Sequence, residues 1–180
     1  MKKVKSADLD RLRQAIRDVA DFPRQGVLFK DITTLLKNAE LLQMAVDYMY
    51  DYFCTQRIDL VAGIESRGFI LGAALAYKLK CGFVPIRKPG KLPAAKIAEE
   101  YQLEYGSDRV EIHQDAVTPG NRVLLVDDLL ATGGTSRAAC NLIKRLQGEI
   151  VGLTFLIELS FLKGRQLLEN FTILSLIQYD

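Results

Sequence analysis

The chain has 180 residues, a length that suits one domain with a core of its own. Hydrophobic residues make up 49% and charged residues 26%, and the formal net charge is only +2. That balance suits a soluble globular protein, excludes the clustered basic field that nucleic-acid binding needs, and leaves any bound anion to local groups.

In chain order, Ser6 is a plausible N-cap for a helix whose apolar positions are Leu9, Leu12, Ile16 and Val19. Asp21 to Gly26 breaks that pattern with Pro23 and Gly26, and Val27 to Ile32 reads as a short extended segment. A second helix is expected from near Asn38, with Leu41, Leu42, Ala45, Val46, Met49 and Phe53 on one face. Leu60 to Ile64 reads as a buried strand, Glu65 to Gly68 as a polar turn, Phe69 to Leu79 as a buried helix and Phe83 to Ile86 as a strand. Strand, helix, strand in that order is a βαβ unit and implies a parallel sheet. Arg87 to Glu100, with Pro89, Gly90 and Pro93, reads as a mobile loop. Tyr101–Leu103 and Val110–Ile112 suit the arms of a hairpin that turns at Gly106-Ser107. After the turn at Pro119 to Asn121 come a strand at Arg122 to Asp127, a helix from Gly134 to Leu146 and a long strand at Ile150 to Leu159. A short helix at Leu162 to Glu169 and a last strand at Phe171 to Gln178 complete an α/β domain.

Cys54, Cys81 and Cys140 form no CxxC or Cys/His pairing, so neither a zinc site nor a disulfide framework is indicated. The basic start lacks the apolar region of a signal peptide, and no apolar run approaches the roughly 20 residues of a membrane span, so no membrane association and a cytoplasmic location are expected.

The informative stretch runs from Val123 to Thr135. Four apolar residues end in Asp127 and Asp128, and ligands bind beyond the carboxyl ends of parallel strands. Thr132-Gly133-Gly134-Thr135 then opens a helix, whose free N–H groups and partial positive charge make a cradle for phosphate. Neither a Walker A loop nor a GxGxxG turn is present. Two acids beside that cradle repel a second phosphate but suit sugar hydroxyls, so the pattern asks for phosphate plus ribose.

This stretch resembles the signature of the type I phosphoribosyltransferase family. Asp21-Phe22-Pro23, Gly26 to Ile32, Glu65 to Phe69, Arg87 to Pro93, Leu103 to Gly106 and Leu162 to Arg165 resemble its adenine branch. The resemblance implies a central, mostly parallel sheet flanked by helices, a mobile active-site loop or hairpin and a small hood. Across a single domain of residues 1–180, it places a base-binding segment in 1–37, the core in 38–180 and a lid at about 87–108. The implied reaction transfers the 5-phosphoribosyl group of 5-phosphoribosyl 1-pyrophosphate to N9 of adenine, giving AMP and pyrophosphate, with magnesium bound mainly through substrate and water. It also implies a homodimer, for which the second helix and the Arg87-Lys88 region are candidate contacts.

Each role follows residue by residue. Asp127, Asp128, Ala131, Thr132, Gly133, Gly134 and Thr135 would hold ribose and phosphate. Ser66, Arg67, Arg87 and Lys91 would bind pyrophosphate, Arg67 also stabilising the transition state. The resemblance places a non-proline cis peptide near Glu65-Ser66. Leu28, Phe29 and Lys30 would bind adenine, with a backbone or electrostatic role for Lys30 because some relatives carry arginine there. Glu104 is the acid–base candidate at adenine N7, and Tyr105 belongs to the lid. Lone His113 is read as structural or solvated, and Glu99-Glu100 as a solvated pair. Two other readings compete. An enzyme for another base calls for a polar base edge, where the Leu28 segment looks apolar. A phosphoribosyl-pyrophosphate sensor calls for a helix-turn-helix, where only one helix precedes the matched region.

Overall fold

A computed structural model of the chain describes residues 5–102 and 107–180. Five strands form a wholly parallel central sheet: β3 (Leu60–Ile64), β4 (Gly82–Ile86), β7 (Arg122–Leu130), β8 (Glu149–Leu159) and β9 (Ile173–Tyr179), in the order β4-β3-β7-β8-β9. Their side chains alternate between two cores, as strand periodicity requires. Leu124 and Val126 of β7 face one core with α1 (Ser6–Gln14), α3 (Ala39–Phe53) and α4 (Arg67–Leu79). Val123 and Leu125 face the other, with α5 (Gly134–Arg145). Each core is capped by residues distant in sequence, such as Phe53 and Met49 on one side and Phe155 and Leu142 on the other, all fully buried. Among the described residues no helix is long and apolar enough to cross a membrane.

Two small antiparallel pairs sit outside the sheet. β1 (Arg17–Ala20) pairs with β2 (Leu28–Asp31), and β5 (Lys96–Gln102) pairs with β6 (Ser107–His113). Both depart from expectation. Val19 lies in β1 rather than in the first helix, which ends at Gln14 and is preceded by Lys5, not Ser6, at its N-cap. Leu12 and Ile16 still enter the core, so the helical spacing is real but stops there. The strand that follows is fixed by cross-strand charge: Arg17 faces Asp31 at 2.5 Å and Asp18 faces Lys30 at 2.7 Å.

Likewise the irregular stretch after Ile86 reaches only to residue 95, because Lys96 begins a strand. Glu99 is not a solvated carboxylate. It accepts from Asn141 Nδ2 at 2.8 Å and from Arg145 at 3.1 Å, which fastens β5 to α5. Of the expected turn at Gly106-Ser107, Ser107 starts β6 and Gly106 lies outside the described residues. Asn38 caps α3 as its side chain suggests, accepting from Leu41 N–H at 3.2 Å. A one-turn helix, α2 (Thr33–Leu36), follows β2. The segment read as a helix at Leu162 to Glu169 is two short 3₁₀ turns, Ser160–Leu162 and Gly164–Leu168.

Candidate active site at the carboxyl ends of β3 and β7

The β7 strand runs on through both acids to Leu130, so Asp127 and Asp128 are held by ladder hydrogen bonds rather than by a loop. Asp128 is 5% exposed, and its Oδ2 lies 2.9 Å from Arg67 Nε. Asp127 Oδ1 accepts the Asp128 backbone N–H at 2.8 Å. Burial, and next the neighbouring Asp128 charge, push the Asp127 carboxyl well above its ordinary range. Burial raises Asp128 too, and the Arg67 guanidinium holds that rise back.

Beyond Leu130 the chain turns through Ala131, Thr132 and Gly133 into α5. Gly133 takes φ +83°, a left-handed conformation that glycine adopts without penalty. The first N–H groups of α5 have no intrahelical acceptor, so this end is an anion cradle in geometry as well as in sequence. Its back wall is Gly164, from the distant segment after β8. A Cβ on Gly133 would come within 2.5 Å of Gly164 O, and one on Gly164 within 2.8 Å of Gly133 N. Gly164 is anchored by its neighbour: Arg165 grips Glu158 at the end of β8 with two bonds, of 3.0 and 2.5 Å. Burial pushes the Glu158 carboxyl up, but the Arg165 hydrogen bonds outweigh it and leave it below its usual range.

The turn after β3 lies alongside. Its Glu65–Ser66 peptide is cis, as the family resemblance implies. Ser66 precedes α4 and is exposed. Gly68 packs on the end of β7: a Cβ there would meet Val126 O at 2.8 Å and Asp127 Oδ1 at 2.9 Å. Arg67 reaches from this turn to Asp128 and also stands over the Phe29 ring, 5.0 Å from its centroid. Arg87 and Lys91 converge on the same turn, where both are paired with Glu65, at 3.1 and 2.5 Å.

The segment expected to bind the base is β2. Phe29 packs edge-on against Phe22, with centroids 5.1 Å apart, and both line a 360 Å³ cleft with Val19, Asp31, Thr33 and Arg67. This is a flat, mostly apolar slot with a few polar groups, a shape suited to an aromatic ligand. Asp31 is held down to about 2 by the Thr33 backbone N–H and next by Arg17. Leu28 is 52% exposed and outside the lining. The Lys30 side chain is engaged elsewhere, 2.7 Å from Asp18 and 4.0 Å over the Tyr179 ring, so only its backbone remains near the slot. Glu104 and Tyr105 lie outside the described residues.

Thus the structure brings Phe29, Arg67, Asp127, Asp128 and the Ala131–Thr135 loop to one end of the sheet. Sequence reasoning missed Phe22 and Val19 as slot walls, Glu65 as the partner of the cations, and Gly164 as the back of the cradle. The Phe22, Glu65 and Gly164 segments left a signal in the family resemblance; Val19 left none.

The chain matches the phosphoribosyl transferase domain family over residues 31–169. It is 57% identical over 167 residues to the adenine phosphoribosyltransferase of Halothermothrix orenii, covering 93% of this chain and 98% of that protein. The crystal structure of adenine phosphoribosyltransferase from Rhodothermus marinus superposes with a TM-score of 0.94 at 51% identity, covering 97% of this chain and all (100%) of that one. The Saccharomyces cerevisiae enzyme, crystallised with adenine and an imino-altritol bisphosphate, superposes at 0.89 with 39% identity over 96% of this chain and 99% of that one. With its parallel sheet, its two acids ahead of an anion cradle and relatives of this identity over nearly its full length, the chain belongs to the adenine phosphoribosyltransferase family.

Proposed function

We propose that this enzyme transfers the 5-phosphoribosyl group of 5-phosphoribosyl 1-pyrophosphate to N9 of adenine, releasing pyrophosphate and AMP. The observation that carries the reading is Arg67, which spans from Asp128 to the face of Phe29 and so links a sugar-phosphate cradle to an aromatic slot. The α5 N-terminus, with Ala131, Thr132, Gly133, Gly134 and Thr135, binds the 5-phosphate. Asp127 and Asp128 accept from the ribose hydroxyls. Asp128 is buried and Asp127 half-buried, and both carboxyls are raised, which suits contacts to uncharged sugar hydroxyls.

Bond breaking at the anomeric carbon builds positive charge on the ribose and negative charge on pyrophosphate. Arg67, with Ser66, Arg87 and Lys91, faces the leaving group, and preorganised cations lower such a barrier by stabilising charge that develops only in the transition state. Adenine lies in the slot with Phe29 and Phe22 as walls, and Leu28 and Lys30 contribute backbone. Glu104 holds the N7 proton, which frees the N9 lone pair; Glu104→Gln lowers turnover by more than about tenfold, within the usual range for general acid–base groups. Tyr105 and the lid exclude water from the activated ribose. Magnesium, if bound, would be held mainly through substrate and water, with Asp127 and Asp128 the acids beside the ribose, and would supply neutralisation of leaving-group charge. A homodimer fits the apolar residues left on the surface of α4, Ile70 and Tyr77, which are 46% and 88% exposed.

A panel of bases with phosphoribosyl pyrophosphate and magnesium tests the reading. AMP from adenine supports it. Product from hypoxanthine or orotate, with none from adenine, overturns it.

A further inference from the structure

Glu65 closes the turn after β3 and sits among the cations given above to pyrophosphate. Its Oε1 lies 2.5 Å from Lys91 Nζ and its Oε2 3.1 Å from Arg87 Nε. The Lys88 backbone N–H donates to Oε2 at 3.1 Å. The Glu65 side chain is 9% exposed, while those of Arg87 and Lys91 are 32% and 50% exposed, so the carboxylate is shielded and its partners are partly screened by solvent. Lys88 Nζ, the third cation nearby, is held by Asp108 and by the Tyr101 hydroxyl and does not compete for Glu65. An ammonium, a guanidinium and a backbone amide converging on two oxygens are the donors that a phosphate group takes. Burial pushes the Glu65 carboxyl up, but the Lys91, Lys88 and Arg87 hydrogen bonds outweigh it and keep it anionic at neutral pH.

The geometry points to Glu65 as a resident counter-anion: it holds Arg87 and Lys91 when pyrophosphate is absent and competes for them when it is present, so that pyrophosphate leaves readily. The inference rests on Arg87 and Lys91 being the pyrophosphate cations. Two cations facing a multiply charged product with no fixed anion between them would bind that product as tightly as the transition state, and tight product binding brings no gain in turnover. A fixed carboxylate a few ångströms away opposes the bound anion, and does so more strongly as water is excluded. Glu65 touches no reacting atom and is therefore a positioning residue.

The test is inhibition by pyrophosphate, with phosphoribosyl pyrophosphate varied at fixed magnesium and saturating adenine. Glu65→Gln keeps the shape and removes the charge. It is expected to lower the pyrophosphate inhibition constant by about tenfold, the size typical of a close charge pair, and to lower kcat as release slows, with the adenine KM unmoved. A purely structural role predicts the reverse, because Arg87 and Lys91 would lose their anchor. An unchanged or raised inhibition constant overturns the proposal. Glu65→Asp, which keeps the charge but withdraws it from both cations, is read if Glu65→Gln does not fold: tightening there supports the proposal, and an unchanged constant overturns it. Arg87→Ala separates the two levels. Weaker pyrophosphate inhibition in Arg87→Ala, together with no effect in Glu65→Gln, overturns the counter-anion alone. No effect in Arg87→Ala removes the cation assignment, and the counter-anion with it.

Discussion

Gly164→Ala is the sharpest probe of how the phosphate cradle is built. The added methyl would collide first with the Ala131 carbonyl oxygen and would also lie 2.8 Å from Gly133 N and 2.9 Å from the Thr132 carbonyl carbon, and all three are backbone atoms with no side-chain freedom to absorb it. Ordinary contact with the Ala131 oxygen requires the two segments to separate by about an ångström. The Gly164 side is pinned by the two Arg165–Glu158 bonds, so the cradle is the side that moves. Overpacking of this kind costs about 1–3 kcal/mol, and about 2–4 °C of Tm is lost per kcal/mol at this chain length. A displacement of about 1 Å at a reacting group costs up to about a hundredfold, so the phosphoribosyl pyrophosphate KM should rise by at least about tenfold. AMP affinity should weaken in parallel, since AMP carries the same 5-phosphate, while the adenine KM stays put. Steady-state kinetics with each substrate varied, beside a thermal melt, reads all three. Adding Arg165→Met should return part of the loss by letting the tail retreat, which a double-mutant cycle would register as coupling. A folded Gly164→Ala protein whose phosphoribosyl pyrophosphate KM moves by less than about twofold would refute the reasoning, because the cradle would then tolerate displacement.

Other consequences follow from buried charge. Asp127 is raised in the folded protein, so its ionisation costs stability as pH climbs through the ordinary carboxylate range; Asp127→Asn should raise Tm at pH 7 while weakening phosphoribosyl pyrophosphate binding, and a lower Tm in a thermal melt would count against the burial argument. Asp31 shows the opposite sign: held at about 2 against an ordinary 3.8, it contributes stability above about pH 4 that is lost as pH falls toward 2. Denaturant melts from pH 5 to 2 should therefore show a shallower acid loss in Asp31→Asn than in the parent. Among the thiols, Cys140 is buried and pushed up to about 12, whereas Cys54 is exposed. A thiol reagent at pH 8 should modify Cys54 in the native protein and reach Cys140 only after unfolding, as peptide mass mapping would show.

What could be read without coordinates was whatever is written locally. Val123 to Val126 is apolar without interruption because both faces are covered, and Asp127 to Thr135 follows with its functional residues contiguous. Asn38 announces its helix through a side chain three residues from its partner. The misreadings share one cause. Ile16 and Val19 keep helical spacing across a boundary that only the distant partners Asp31 and Lys30 impose. Lys96 to Glu100 is polar enough to pass for a loop until Asn141 and Arg145 are placed beneath it. For Lys30 the sequence argued a backbone or electrostatic role, but nothing near it in sequence reveals that Tyr179 holds its side chain. Glu65 looks like an ordinary turn carboxylate until the sheet carries Arg87 and Lys91 to it.

The seating of Gly68 on Asp127 reaches further than local packing. Because β3 and β7 are neighbours, paired from Leu60 with Val123 to Gly63 with Val126, the span between the pyrophosphate turn and the ribose acids is a sheet dimension rather than a loop dimension. On the proposed function, the sheet thereby acts as a gauge for the length of the activated sugar. The same arrangement ties competence to assembly. Neither loop holds half of the site until two strands far apart in the chain have paired, so the site forms only with the sheet.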